Sequence, residues 1–199
     1  ITDAQLDAWL AGYLFPLARI LGLVVAAPVF NNASLPNNVK LIAGIAVTIA
    51  LAPALPPLPQ IAPASWTGLA VLLQQGLIGI ALGFTMRLVF AGIDLAGELI
   101  GLQMGLGFAV FYDPQNAAES PIVAELAGLL ALLIFLALDG HLMMLALLAE
   151  SFTALPIGSS AFPASGWETL LRWATTIFSI GILLALPLIS ALLVANIAL

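Results

Sequence analysis

Six long apolar runs, parted by short polar or proline-bearing breaks, constrain this chain more than any other feature of its sequence. They cover about Ala8 to Phe30, Val39 to Leu58, Trp66 to Ile93, Leu95 to Phe111 and Ile122 to Phe152, with the last beginning near Leu170. Most approach or exceed the roughly 20 residues that a helix needs to cross a bilayer. Only 7% of the 199 residues are charged and 63% are hydrophobic, so a soluble core of this size could not hide the apolar surface. The expected fold class is all-α: membrane-type helical hairpins with proline and glycine kinks. No stretch is long and polar enough for a separate soluble domain, and no internal repeat stands out, so residues 1–199 read as one helical domain.

The breaks are legible. "NNASLPNN" (31–38) is a polar turn, and "PALPPLPQIAP" (53–63) cannot continue a helix. "YDPQNAAESP" (112–121) is the most polar window. "LPIGSSAFPASG" (155–166) leads into Trp167 and Glu168, which read as the start of an interfacial helix. Pro16, Pro28 and Pro187 lie inside apolar runs and are expected to kink them. The third and fourth runs follow one another without proline. A single helix of roughly 46 residues there would be about 69 Å long, far more than one crossing. Either the chain breaks near Ala91 to Asp94 into a hairpin, or the helix extends beyond the membrane plane.

Several function classes fall away. A net charge of −6 argues against nucleic-acid binding, which needs a basic footprint. The chain has no cysteine and one histidine, and GxSxG, HExxH, P-loop and GxGxxG signatures are missing, so the reading is not an enzyme and needs no cofactor or metal. Arg19, Lys40, Arg87 and Arg172 are scattered, which leaves the membrane orientation unspecified.

Polar residues within the apolar runs are the functional candidates. Arg87, Asp94 and Glu98, seven and four apart, fall within about 20° of one helical line. They form either a local charge cluster near a helix end or a polar seam for a neighbouring helix or subunit, since charge in a bilayer must be partnered. Gly97, Gly101 and Gly105 make two overlapping GxxxG units, and Gly76, Gly79 and Gly83 a similar set upstream, as close helix packing requires. The polar loop after them is, by composition alone, a solvent loop with aromatic interface anchors. Asp139 and His141 admit a proton relay or a ligand pair, but lack a third ligand in register; a helix interruption with a polar cap fits better.

"RLVFAGIDLAGELIGLQMGLGFAVFYDPQ" (87–115) resembles the hallmark stretch of the FliR family, export-gate subunits of flagellar type III secretion related to the injectisome SctT family. "LARILGLVVAAPVF" (17–30), "SLPNNVKLIAGIAVTIALAP" (34–53) and "LIFLALDGHLMMLALLAESFTALPIG" (133–158) extend the resemblance in order over almost the whole chain. Gln103, Met104 and Gly105 stand where injectisome counterparts tend to carry a charged QRG-type sequence, which favours the flagellar branch. Asp139 departs from the uncharged Asn that the resemblance leads one to expect. The family continues with another apolar region, so the chain is expected to be C-terminally incomplete.

The resemblance implies one subunit of a helical pore assembly, in the bacterial inner membrane at the flagellar basal body. It implies FliP-like and FliQ-like partners, an FlhB-like subunit, and unfolded flagellar export substrates as the cargo. It further implies a pore plug at about Leu106 to Ile122, with Phe108, Phe111 and Tyr112 blocking the channel beside Asp113, Pro114 and Gln115. Gly97, Gly101 and Gly105 would serve subunit packing, and Arg87, Asp94 and Glu98 intersubunit or buried charge pairing. The competing reading is a secondary transporter for a small solute, using Arg87, Asp94, Glu98 and His141 as its polar path; it predicts repeated halves.

Overall fold

Proline and glycine set most of the helix ends in the computed structural model, which describes residues 3–30, 35–56, 61–106, 110–113, 118–158 and 164–198. Helix α1 spans Asp3–Ala26 and α2 spans Asn37–Leu51, opened by Pro36 and followed by the 3₁₀ turn Ala52–Ala54. Helix α3 spans Trp66–Gln103 and α4 Ile122–Ala137, the latter opened by Pro121. Helices α5 (Gly140–Ala154), α6 (Ala164–Ala174) and α7 (Thr176–Ala198) complete the order. Among the described residues, Asp7–Ala26, Asn37–Ala54, Trp66–Gln103 and Ser165–Ala198 are long and apolar enough to cross a membrane. The broken pair α4 and α5 makes a fifth candidate.

The long third and fourth runs form a single helix through Ala91–Asp94, 38 residues and so about 57 Å long. Of the two sequence-based solutions, the extended helix is the one adopted. Gly105, with φ of 76°, ends it: Met104 and Gly105 donate back to Ile100 and Leu102, and the left-handed glycine turns the chain. The chain is helical as expected, with one addition. Val110–Asp113 (β1) pairs antiparallel with Ala118–Pro121 (β2), in the register Val110↔Pro121 and Asp113↔Ala118. A plain loop was expected there; β-branched and aromatic Val110, Phe111 and Tyr112 favour the strand pairing. The fifth run is interrupted at Leu138 and Asp139, where Asp139 takes φ of 55° and donates to the Leu136 carbonyl. Asp and Asn both tolerate left-handed backbone, which explains why an aspartate can stand where the resemblance leads to Asn.

The chain divides into two compact units, Ile1–Met86 with Gly140–Trp167, and Arg87–Asp139 with Glu168–Leu199. In the first, Ala11, Phe15 and Leu23 of α1, with Ala27 just past its end, make a stripe at i+4 spacing that packs with Val71 of α3 and Met144, Leu148 and Phe152 of α5. Helix α2 covers another side of α1, where Gly44 meets Leu17 and Leu21. The α1 and α3 backbones approach closely at Gly22, Gly79 and Gly83: a Cβ on Gly79 would land on the Arg19 carbonyl. In the second unit, α3 and α4 are antiparallel, with Phe90 edge-on to Phe135 at 6.1 Å and Gly97 against Ala124. Helix α7 runs alongside α3, Gly92 meeting Ile180 and Gly181 meeting Leu95.

Candidate functional site

The glycine-and-charge face of α3 is built from one heptad-like row. Phe90, Asp94, Gly97 and Gly101 recur at four-, three- and four-residue steps, so they share the side of α3 that meets α4. Asp94 reaches Gly128, whose added Cβ would lie 3.1 Å from the Asp94 Oδ1. Gly97 lets the Ala124 backbone in, with its nitrogen 2.8 Å from an added Cβ, and Gly101 faces Val123 at an ordinary 3.7 Å. The surface that the sequence reading assigned to subunit packing at Gly97 is thus occupied by the chain's own α4. At Gly105, among the described residues, nothing lies within 4 Å of an added Cβ, and its left-handed backbone turns the chain out of α3.

The contrast gives an expected outcome. Gly97→Ala should destabilise the second unit by about 1–3 kcal/mol, because helix backbone cannot give way as a side chain can. Gly101→Ala should be neutral or stabilising by up to about 1 kcal/mol, the helix-propensity gain. Thermal unfolding of the purified variants in detergent separates the two, and equal effects would contradict the packing described.

The charges of the same unit are drawn together only in part. Asp94 stands in the electrostatic field of Glu98 and of Glu125, in the first turn of α4. Arg87 lies one to two turns away on the exposed side, and among the described residues no carboxylate is within 4.0 Å of it. Arg87, Asp94, Glu98 and Glu125 are all exposed, and among the described residues none of them forms an ion pair. The plug candidates lie on the segment joining α3 to α4. Phe111, Tyr112 and Asp113 are in β1, while Phe108, Pro114 and Gln115 lie outside the described residues. Asp139 stands in the α4 to α5 break and His141 in the first turn of α5; among the described residues the buried His141 Nδ1 has no hydrogen-bond partner and no group of three or more metal-binding side chains occurs.

The sequence reading missed the most fully enclosed charge. Arg19 is completely buried in the first unit. Its Nε donates to the Gln75 Oε1 at 2.8 Å, and one terminal nitrogen donates to the Ser151 carbonyl at 2.7 Å and the Ser151 Oγ at 3.1 Å. The other terminal nitrogen donates to the Leu155 carbonyl at 2.7 Å, and the guanidinium lies 4.2 Å from the centre of the Phe152 ring. Ser151 and Leu155 are at the C-terminal end of α5, where unpaired carbonyls carry the negative end of the helix dipole. That dipole and the Phe152 ring face take the place of a counter-ion. The signal was available: Arg19 sits midway in the i+4 stripe Ala11, Phe15, Leu23, Ala27, and a cation there must find partners inside.

The arrangement is a helical membrane scaffold with an internal polar tie, a close-packed helix pair carrying unmatched acids, and a short hairpin between the members of that pair. A family model described as bacterial export proteins, family 1, matches residues 10–199. The flagellar biosynthetic protein FliR of Escherichia coli (strain K12) is 44% identical over 100% of this chain and 76% of its own length. That of Pectobacterium carotovorum subsp. carotovorum is 46% identical over 96% of this chain and 73% of its own length. The chain belongs to the FliR family of bacterial export proteins. Similarity reaches further relatives of FliR name, such as that of Aquifex aeolicus (strain VF5), 30% identical over 97% of this chain and 74% of its own length. FliR-family membership and the membrane-length helices together make this a membrane-located export component.

Proposed function

We propose that this chain is a non-enzymatic pore-forming subunit of the flagellar type III protein export gate. It assembles in the bacterial inner membrane, at the flagellar basal body, with FliP-like and FliQ-like subunits and an FlhB-like subunit. Its cargo is unfolded flagellar export substrate, and its 199 residues act as one export-gate domain. The observation that carries this reading is identity of 44% over the whole chain and 46% over 96% of it to relatives named flagellar biosynthetic proteins. The structural support is twofold. Arg87, Asp94, Glu98 and Glu125 are exposed on membrane-type helices without ion-pair partners among the described residues, and intramembrane charge calls for partner chains. The segment proposed as the plug carries Val110–Asp113 paired antiparallel with Ala118–Pro121.

Gentle solubilisation of tagged full-length protein from native membranes, with mass identification of its companions, tests the assembly. Stoichiometric FliP-like and FliQ-like chains are the expected result; a lone protein or a homo-oligomer overturns it and makes solute transport the working alternative. For the plug, deletion of residues 108–118 is expected to make the reconstituted assembly leak ions, and unchanged conductance overturns that role.

A further inference from the structure

The Arg19 tie leaves one buried polar group over. Gln75 is wholly enclosed and its Oε1 accepts from the Arg19 Nε, yet its Nε2 has no hydrogen-bond partner among the described residues. An amide nitrogen carries two N–H donors, so the cost of burying them stands uncompensated. Turning the amide over gives no relief, because Nε2 would then meet the Arg19 Nε, donor against donor. Buried donors in native proteins are bonded almost without exception, and an ordered water serves where no protein acceptor does.

The groups around Gln75 say what can bind there. Both Nη1 protons of Arg19 go to Ser151, while Nη2 gives one to the Leu155 carbonyl and keeps the other open among the described residues. Nε and Nη2 share one edge of the planar guanidinium, which sets the Gln75 amide and the Leu155 carbonyl side by side. The Ser151 carbonyl is already filled, by the Leu155 N–H and by Arg19, and the Ser151 Oγ both accepts from Arg19 and donates to the Leu148 carbonyl. The Leu155 carbonyl and the Gln75 Oε1 each retain a second lone pair among the described residues. A ligand at this edge must therefore accept from N–H groups and donate to oxygens. A metal cation meets a guanidinium and amide donors, and a halide has no proton to give. Water does both.

We propose that the first unit holds one ordered internal water at the Arg19 tie, accepting from the Gln75 Nε2 and donating to the Leu155 carbonyl. The water links α3 to the end of α5 beside the guanidinium, and Gln75 is the residue that positions it. Arg19 lies about 18 Å along the helix from Asp7 and about 10 Å from Ala26, inside the membrane-length span Asp7–Ala26. With Arg19 and Gln75 fully enclosed, such a molecule exchanges slowly with bulk water. This does not depend on the export-gate reading; it follows from the donors and acceptors of the tie.

X-ray radiolysis reads a bound water, because it makes hydroxyl radical where the water stands and the radical oxidises the nearest side chain. Full-length protein in phosphatidylcholine nanodiscs would be mixed rapidly with water enriched in the heavy oxygen isotope and then pulsed. The reporter is Phe152, whose ring lies 4.2 Å from the Arg19 guanidinium, with oxidation read by mass spectrometry. The expected result is oxidation of Phe152 although it is fully enclosed, with the light isotope retained severalfold longer than at Trp66, which is 87% exposed. No oxidation at Phe152 overturns the proposal by leaving the tie dry. Heavy oxygen arriving there as fast as at Trp66 overturns it by showing bulk water instead of a held molecule. Gln75→Glu keeps an acceptor for the Arg19 Nε and replaces the Nε2 donor with a second oxygen, so Phe152 oxidation should fall severalfold. Unchanged oxidation in that variant overturns the role given to Gln75. Should the variant not fold, the isotope measurement on the unmodified protein decides by itself.

Discussion

Arg19→Ala is expected to destabilise the first unit by about 2–5 kcal/mol and to lower the yield of folded protein sharply. The substitution removes four hydrogen bonds and strands the Gln75 amide oxygen and the Leu155 carbonyl, while the Ser151 carbonyl keeps only its bond from the Leu155 backbone N–H. Charge-assisted bonds are each worth about 1.5–3 kcal/mol, but bonds between membrane helices average nearer 0.6, so four of them place the lower bound at about 2 kcal/mol. Lysine should not rescue, because its single ammonium cannot reach Gln75, Ser151 and Leu155 at once. Ser151→Ala should cost under about 1 kcal/mol, since the main-chain carbonyl keeps the stronger contact. Gln75→Glu should retain stability: it supplies the missing counter-ion and removes the Gln75 Nε2, which is buried without a partner among the described residues. Unfolding midpoints in a graded denaturing detergent rank the four variants. An Arg19→Ala midpoint equal to that of the unmodified protein would mean that the tie contributes nothing.

Gly79→Ala should be the most damaging single-methyl change in the α1 and α3 contact. The added Cβ would meet the Arg19 carbonyl and, at 2.9 Å, the Leu23 nitrogen, both of them helix backbone. The helices must separate, and the same movement stretches the Arg19 to Gln75 bond four residues earlier on α3. Overpacking of this kind costs about 1–3 kcal/mol, and the coupled loss adds to it. Gly76→Ala is the control: nothing lies within 4 Å of its Cβ, so it should be neutral or gain up to about 1 kcal/mol of helix propensity. The two glycines are three residues apart on one helix. Intrinsic propensity predicts the same small stabilisation for both, whereas the packing predicts opposite signs.

Some of this was legible from the residues alone. Apolar runs, the proline breaks at Pro36 and Pro121 and the interruption before Gly140 located the helices, because crossing length and backbone punctuation are local properties. The strand pairing of Val110–Asp113 was not, since four-residue strands carry too little pattern to outweigh a proline-containing polar window. The functional candidates divide in the same way. Arg87, Asp94 and Glu98 could be placed on one helical line by counting, but that Asp94 faces Gly128 while Arg87 faces outward depends on where α4 lies.

By itself, then, the sequence determined a helical membrane chain of the FliR family and its break points. Hydrophobic length, glycine and proline act within a few residues and need no partner to be read. Only the tertiary structure decided what each glycine does: Gly79 admits α1, Gly97 admits α4 and Gly105 turns the chain. It alone decided, too, that Arg19 closes on Gln75, Ser151 and Leu155, which are 56, 132 and 136 residues away. Contacts across such separations are set by how the helices pack, and a period of 3.6 residues carries no information about which helix will be the neighbour.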